Sequence, residues 1–490
     1  MKNVLAFDYG GGSGRAVLGS FDGEKITLKE VHRFDNEPVQ VNGGFYWDIL
    51  RLFEEMKRGI SKASQEADFE SIGIDSWGVD YGMISKSGVL VSNPYHYRDE
   101  RSVPMVDEVG KKVSMEELYM RTGNQIMNIN TIFQLAATMK NNSDIMSITD
   151  KILMTPDLLS FFLTGEKYTE MTMASTTGLM NPFTKEWDFE LIEKIGLPKS
   201  IFPDIIKSGT VVGKLREDLC RELGISRKKV VAVAGHDTAS AVVAVPCKEE
   251  EFAFISCGTW SLFGSELKSP IVNETSMKEN LTNETGFGAT THFLNNIIGL
   301  WMIQESRRAW RRKGVELSYA EMEKEALASK AMQCFVDPDA PEFVPAGNIP
   351  ERVRDFCRKT GQYVPQTIGE VVRCIYESLA FKYKYTLEKL ERCMGRSFEN
   401  LHIIGGGTKD GLLCALTADA THLNVIAGPT EATALGNVAV QLMALGEIKD
   451  VAHARKIISS STEVKHYSPN SESSKLFDEK YEEFKKILLK

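Results

Sequence analysis

Asp237 stands where a carboxylate can do proton-transfer chemistry. It follows the apolar run Val230-Val231-Ala232-Val233-Ala234 and lies in the cluster Gly235-His236-Asp237-Thr238-Ala239-Ser240. A sugar hydroxyl is a poor nucleophile, and a carboxylate within hydrogen-bond reach can accept its proton while a phosphoryl group moves. An Asp here also suits an N-cap for the Ala-rich stretch after it, and position alone leaves both roles open. His236 is placed to bind a hydroxyl of the same acceptor. A second apolar run, Ser71-Ile72-Gly73-Ile74, ends in Asp75-Ser76-Trp77-Gly78-Val79-Asp80. Asp75 and Asp80 can accept hydroxyl hydrogen bonds. The Trp77 indole can stack on C–H faces of a sugar, and core packing accounts for it equally well.

Two further segments read strand, small-residue turn, strand. The first runs from Val4 to Gly19 through Asp8-Tyr9-Gly10-Gly11-Gly12-Ser13-Gly14-Arg15. The second runs from Phe252 to Gly264 through Cys257-Gly258-Thr259-Trp260. Glycines let main-chain N–H groups face a polyphosphate without obstruction by Cβ. Ser13 adds a hydroxyl, Arg15 a charge, and Asp8 a carboxylate able to hold hydrated magnesium. Thr259 offers a hydroxyl to the opposite face of a phosphate. The spacing of Gly10, Gly12 and Gly14 gives GxGxG, and a strand follows where a dinucleotide fingerprint needs a helix, so that reading is excluded. The nearest approach to a P-loop, Gly209 to Gly213-Lys214-Leu215, has the wrong spacing and lacks the Ser/Thr for magnesium. A third loop, Gly405-Gly406-Gly407-Thr408-Lys409-Asp410-Gly411, precedes a helical run and fits either an adenosine site or a crowded turn.

The elements around these clusters follow from periodicity. Lys25 to Phe34 alternates like a strand. Ile49, Phe53, Met56 and Ile60 recur at helical spacing. Residues from about Arg98 to Pro203 carry several helix-like runs and read as an elaboration on a core. The second half alternates strands and helices, with apolar runs at Leu401 to Ile404 and Val425 to Ala427, which implies a largely parallel inner sheet. The tail positions Phe477, Tyr481, Phe484 and Leu488 mark an amphipathic helix expected to dock on its own domain.

With 490 residues, 42% of them hydrophobic, the chain can bury a large core in two to three domains. The net charge of −9 argues against nucleic acid or an anionic membrane as partner. No apolar run approaches the ~18 residues of a membrane span, and Asp8 interrupts the start too early for a signal peptide. The eight cysteines show no CxxC and no zinc spacing, so a reduced cytoplasmic protein is expected, with Cys357 and Cys374 as two buried thiols.

From the first hairpin to about Gly446 the assembled motifs resemble the FGGY family of carbohydrate kinases. The likeness rests on residues 71–80, on Gly235-His236-Asp237-Thr238-Ala239-Ser240-Ala241-Val242, and on Cys257-Gly258-Thr259-Trp260-Ser261-Leu262. It also rests on Asn296-Ile297-Ile298-Gly299-Leu300-Trp301 and on residues 425–437. Within the family it is strongest to members acting on L-rhamnulose.

The resemblance implies an α/β, two-lobed actin/hexokinase/Hsp70-type ATPase fold of duplicated ribonuclease-H-like domains with a cleft between lobes. An N-terminal lobe of residues 1–245 would hold the sugar and the first phosphate hairpin. A C-terminal lobe of residues 246–490 would hold ATP, and hinged closure would exclude water. The implied reaction is ATP-dependent phosphorylation of L-rhamnulose on its C1 hydroxyl, in L-rhamnose degradation, with magnesium. Asp237 would accept the proton. Gly11, Gly12, Ser13, Gly14, Arg15, Thr259, Gln304 and Gly406 would contact ATP. Gly78, His236, Asp237, Thr238 and Asn296 would contact the sugar, and Asp8 would hold magnesium through water.

Two departures bear on this. Gly11-Gly12-Ser13 stands where relatives often carry Ala-Ser-Ser, which removes a hydroxyl. Tyr81-Gly82-Met83-Ile84 is less typical and adjoins the expected sugar pocket, so L-fuculose, L-ribulose or xylulose remain rival acceptors. An ATP-switched interaction module of the same fold is the rival outside enzymes. The family's cysteine pair is matched at Cys357 and Cys374. Monomer and homodimer both stay open.

Overall fold

A computed structural model of the chain describes residues 1–488. The backbone divides into two units. One comprises Met1–Lys248, Glu266–Phe293 and Ala432–Thr462; the other comprises Glu249–Ser265, Leu294–Glu431 and Glu463–Lys490.

The first unit is built on strands β1 (Lys2–Tyr9), β2 (Ser13–Phe21), β3 (Ile26–Asp35), β4 (Ser71–Ser76), β5 (Thr210–Lys214) and β6 (Lys229–Ala232). They lie in the order β5-β6-β4-β1-β2-β3. β1, β2 and β3 form an antiparallel meander in which Asp8 faces Arg15 in register. β4 runs parallel to β1 and β6 parallel to β4, with Asp8 beside Asp75. These inner strands are covered on both faces, and for that reason their sequences are continuous apolar runs rather than alternating ones. The helix Ile49–Glu66 starts at Asp48, whose carboxylate caps Arg51 N, and buries Ile49, Leu52, Met56 and Ile60 against the sheet.

Two helices meet closely in this unit. A Cβ on Gly436, in the helix Ala432–Ala444, would lie 1.7 Å from the Ser240 carbonyl oxygen, in the helix Asp237–Val243. Only glycine lets the two backbones approach so closely. The elaboration after Arg98 has a core of its own that includes Phe133, Leu135, Met154 and Leu191. The segment after Asp80 is the strand Tyr81–Ser85. It pairs with the strand Thr149–Met154, which lies inside the region read from sequence as helical runs.

The second unit repeats the plan. Strands β7 (Ala253–Cys257), β8 (Trp260–Leu267), β9 (Thr291–Ile298), β10 (Asn400–Ile404), β11 (Asn424–Ala427) and β12 (Lys465–Tyr467) give the run β9-β8-β7-β10-β11-β12. A hairpin again supplies the central strand, two parallel strands follow on one side, and an antiparallel strand closes that edge. The helix Ile368–Met394 begins with a Thr367–Glu370 capping box. The tail helix Ser471–Leu488 packs on it. Phe381 lies 4.8 Å from Phe477 and 5.1 Å from Phe484, and the Tyr481 hydroxyl donates to Glu388 across 2.9 Å.

Candidate active site

Parallel pairing brings three carboxyls to one edge of the first sheet. Asp8 and Asp75 are the next-to-last residues of β1 and β4, and Asp237 follows the segment after β6, where Ser76 N donates to Gly235 O across 2.8 Å. Arg15 holds Asp8 through Nε at 3.0 Å and Nη2 at 2.7 Å. Asp75 is fully buried. Burial and the neighbouring Asp8 and Asp237 push its carboxyl well above the usual carboxylate range, against a hydrogen bond from Asn437 Nδ2 at 2.5 Å. Its Oδ1 is buried with no hydrogen-bond partner. One buried, unsatisfied carboxyl oxygen beside Asp8 is a hard-oxygen acceptor of the type a hydrated magnesium ion can meet through its water shell.

Asp237 is the first residue of its helix, not the N-cap; His236 holds that place in an extended conformation. The alternative capping role is therefore not the one Asp237 plays. Thr238 N donates to Asp237 Oδ1 across 2.6 Å, which orients the carboxylate. About a third of the Asp237 side chain is exposed (32%). Burial of the carboxyl, opposed by His236 and aided by Asp8, pushes it up to about 6. His236 is buried, with Nε2 3.5 Å from Asp237 and Nδ1 3.3 Å from Glu284 Oε2. Burial opposes its charge, but Glu284, Asp237 and Glu170 outweigh that and raise it above the ordinary histidine value. Thr238 is buried.

The Gly235-His236 backbone is itself held. Gly235 N donates to Glu170 Oε2 at 3.0 Å, and His236 N donates to the Thr172 hydroxyl at 3.0 Å. Glu170 lies in the elaboration and is buried, so its hydrogen bonds are strong and costly to lose.

Gly78 lies in a turn fastened from several sides. Val79 adopts φ +65°, rare for a β-branched residue and costing about 1–3 kcal/mol. Thr176 Oγ1 accepts from Val79 N at 3.0 Å, and Thr131 Oγ1 donates to Val79 O at 2.6 Å. Asp80 accepts from Trp47 Nε1 (2.6 Å), Trp77 Nε1 (2.9 Å), Gln134 Nε2 (2.9 Å) and Tyr97 N (3.2 Å). Its carboxyl is occupied by protein donors, and Trp77 packs against Trp47 with ring centroids 4.2 Å apart and the planes tilted by 37°. Asp80 and Trp77 thus build the turn that carries Gly78, and the direct sugar contacts read for them from sequence do not fit this arrangement.

In the first glycine loop, Gly11 and Gly12 are exposed and meet no atom closer than 3.9 Å from a built Cβ, and neither needs positive φ. Their use is open backbone rather than an unusual turn. Gly14 differs, because a Cβ there would strike the Phe34 ring at 2.3 Å. Ser13 opens β2, and its carbonyl accepts from Gly10 N at 2.9 Å.

In the second unit, Thr259 occupies the β7–β8 turn. Its carbonyl accepts from Gly299 N and Trp301 N, both at 3.1 Å, and its hydroxyl donates to Gln304 Oε1 at 3.2 Å. Thr259 and Gln304 therefore meet. Asn296 is half-buried on β9. The three glycines after β10 divide by role. Gly405 has φ +85°, and a Cβ on Gly407 would lie 2.2 Å from Cys257 Sγ. Gly406 meets nothing within 4 Å and presents open backbone. The crowded-turn reading explains two of the glycines and does not account for Gly406.

Residues 3–244 match the N-terminal domain, and residues 253–445 the C-terminal domain, of the FGGY family of carbohydrate kinases. The chain belongs to that family. This FGGY kinase is similar to the rhamnulokinase of Bacteroides thetaiotaomicron, 40% identical over 469 residues covering 96% of each chain. It is 37% identical to the Bacillus subtilis rhamnulokinase over 466 residues, 95% of each chain. Among solved structures it resembles a gluconate kinase from Lactobacillus acidophilus (TM-score 0.80, 17% identity, 99% of this chain and 97% of that one). It also resembles Plasmodium falciparum glycerol kinase with ADP (TM-score 0.77, 17% identity, 99% and 97%). These structures bear out the two-domain α/β fold that the family resemblance implied.

Four residues of this FGGY kinase that shape the site went unread in its sequence: Glu170, Thr172, Glu284 and Asn437. Only Asn437 carried a usable signal. With Gln441 it puts two amides four residues apart in an otherwise apolar helix, where each must find a buried partner.

Proposed function

We propose that this kinase transfers the γ-phosphoryl group of ATP to the C1 hydroxyl of L-rhamnulose, giving L-rhamnulose 1-phosphate and ADP. The observation that carries the reading is Asp237. It is a partly exposed carboxyl beside His236, at the sheet edge shared with Asp8 and Asp75, with its pKa raised to about 6. A base so tuned is ionised at neutral pH and still takes a proton readily. Relatives named rhamnulokinase, aligned over nearly the whole chain, support the choice of sugar.

In the proposed reaction the sugar oxygen forms a bond to the γ-phosphorus as the bond to the ADP oxygen breaks, and Asp237 takes the hydroxyl proton. His236, Thr238, Gly78 and Asn296 orient the ketose. Gly11, Gly12, Ser13, Gly14, Arg15, Thr259, Gln304 and Gly406 hold ATP. Asp8, with Asp75 and Asp237 near it, would hold hydrated Mg²⁺, which neutralises phosphate charge when bound. Most of the rate comes from positioning and charge stabilisation, and about 10²–10⁴-fold from the base. No described helix is long and apolar enough to cross a membrane. We place the enzyme in the cytoplasm, where ATP is available.

The test is a coupled ADP-release assay with Mg-ATP and L-rhamnulose beside L-fuculose, L-ribulose, D-xylulose and no sugar. Preference for L-rhamnulose in kcat/KM supports the assignment. Preference for another ketose moves the specificity and keeps the kinase. ADP release independent of every sugar would sink the acceptor assignment.

A further inference from the structure

Three thiols far from these residues in sequence meet inside the second unit. Cys334, Cys357 and Cys374 are buried, and each offers a sulfur within 4.8 Å of the other two. The sequence pointed only to Cys357 and Cys374, and both are free buried thiols here; Cys334 is the unexpected third. No histidine or carboxylate among the described residues joins the group.

The three positions are fixed by groups other than the sulfurs. Cys357 lies near the end of the helix Ile349–Thr360, and Cys374 in the second turn of the helix Ile368–Met394. Cys334 lies in the loop between the helices Tyr319–Ala328 and Ile349–Thr360. That loop is pinned on both sides of Cys334. Met332 N donates to Glu377 Oε2 and Val336 N to Ser378 Oγ, both at 2.9 Å. The Gln362 side chain accepts from Phe335 N at 2.9 Å and donates to Phe335 O at 2.8 Å, while its own N–H donates to Cys357 O at 2.9 Å. A preformed array of this kind lowers the ordering cost of binding.

We propose that Cys334, Cys357 and Cys374 form a three-thiolate site for one thiophilic d¹⁰ cation, with Zn²⁺ as the first ion to test. Zinc–sulfur bonds of about 2.3 Å set tetrahedral sulfurs about 3.8 Å apart, so the cluster needs to contract by about 1 Å at most. An all-sulfur donor set excludes hard ions such as magnesium. A cavity of about 10 Å³ adjoins the sulfurs, lined by Cys334, Cys374, Gln333 and Tyr363 and by the charged residues Lys330, Arg373, Glu370 and Glu377. It has room for one water as the fourth ligand. Three thiolates around a divalent ion leave one negative charge; on the cavity wall Arg373 is paired with Glu377 at 2.7 Å, and Lys330 and Glu370 complete a wall of balanced charge. Binding releases the three thiol protons to solvent and changes no oxidation state, so occupancy rises with pH. The ion ties the loop to both helices and stabilises the folded chain by mass action.

The test uses the full chain, purified with a phosphine reductant and no chelator. We expect about one zinc per chain by elemental analysis, and a sulfur-to-cadmium charge-transfer band that saturates at one Cd²⁺. Cys334→Ser should weaken Cd²⁺ binding at least about tenfold, abolish the rise in Tm with Zn²⁺, and keep sugar-dependent ADP release. Cys374→Ala serves as the second variant if the first does not fold. The wild-type readings stand without either. No bound ion and no band, with all eight thiols reduced, overturns the site. So does a Cys357–Cys374 disulfide under the same reductant, or a band of unchanged affinity in both variants.

Discussion

Asn437 donates its side-chain amide to Asp75 across 2.5 Å, although 362 residues separate them. The same helix sends Gln441 Nε2 to Leu5 O at 3.1 Å and to Asn437 Oδ1 at 2.7 Å, while Ser71 Oγ donates to Gln441 Oε1 at 2.7 Å. A helix from near the end of the chain thus supports the backs of β1 and β4, and Asp75 owes part of its position to it.

Asp75 also titrates in the direction of reduced stability. Burial, Asp8 and Asp237 raise its folded-state value well above the unfolded one. The folded chain therefore binds the proton more tightly, and stability falls as pH rises above the ordinary carboxylate range. Asp75→Asn cannot titrate. The variant should gain stability over the parent in urea unfolding, with a larger gain at pH 8 than at pH 5. An equal difference at both values would show that Asp75 is not the titrating group.

Asp237→Asn should lower turnover by about 10²–10⁴-fold or more, with the KM for ATP changed little. In the parent, kcat/KM should fall on the acid side with a midpoint near pH 6, because protonated Asp237 cannot accept the hydroxyl proton. Steady-state kinetics from pH 5 to 8 check both. A flat profile in the parent would remove Asp237 from the base role.

Glu170 acts through the backbone it holds. Glu170→Gln keeps the shape but changes the acceptor of Gly235 N. Displacement of Asp237 by about 1 Å is enough to lower turnover about 10²-fold. We expect a loss in kcat with the acid limb of the pH profile displaced, since Glu170 also contributes to the charge on His236. A purely structural role would lower Tm and leave that limb in place.

Gly406 and Gly407 should separate function from packing. Gly407→Ala drives a methyl against Cys257 Sγ, at 2.2 Å, and should cost about 1–3 kcal/mol in unfolding. Gly406→Ala meets no protein atom within 4 Å and should leave stability nearly unchanged while raising the KM for ATP. Denaturant midpoints and ATP titrations of the two variants decide this; the reverse pattern would take Gly406 out of the ATP site.

Local pattern alone located the strands that lead to Asp8, Asp75 and Asp237, because short apolar runs ending in polar clusters reflect burial that neighbouring residues enforce. The glycine loops were legible for the same local reason, as was the family. Roles that depend on partners were not. Asp80 looks identical in sequence whether it faces a sugar or four protein donors. Nothing local distinguishes Gly406 from Gly407, or announces that Glu170 will cap Gly235. The meeting of Cys334 with Cys357 and Cys374, and of Asn437 with Asp75, was decided by chain-distant packing. Hydrogen bonds and close contacts act over a few ångströms in space, and sequence spacing carries no record of which distant segments fold to within that range.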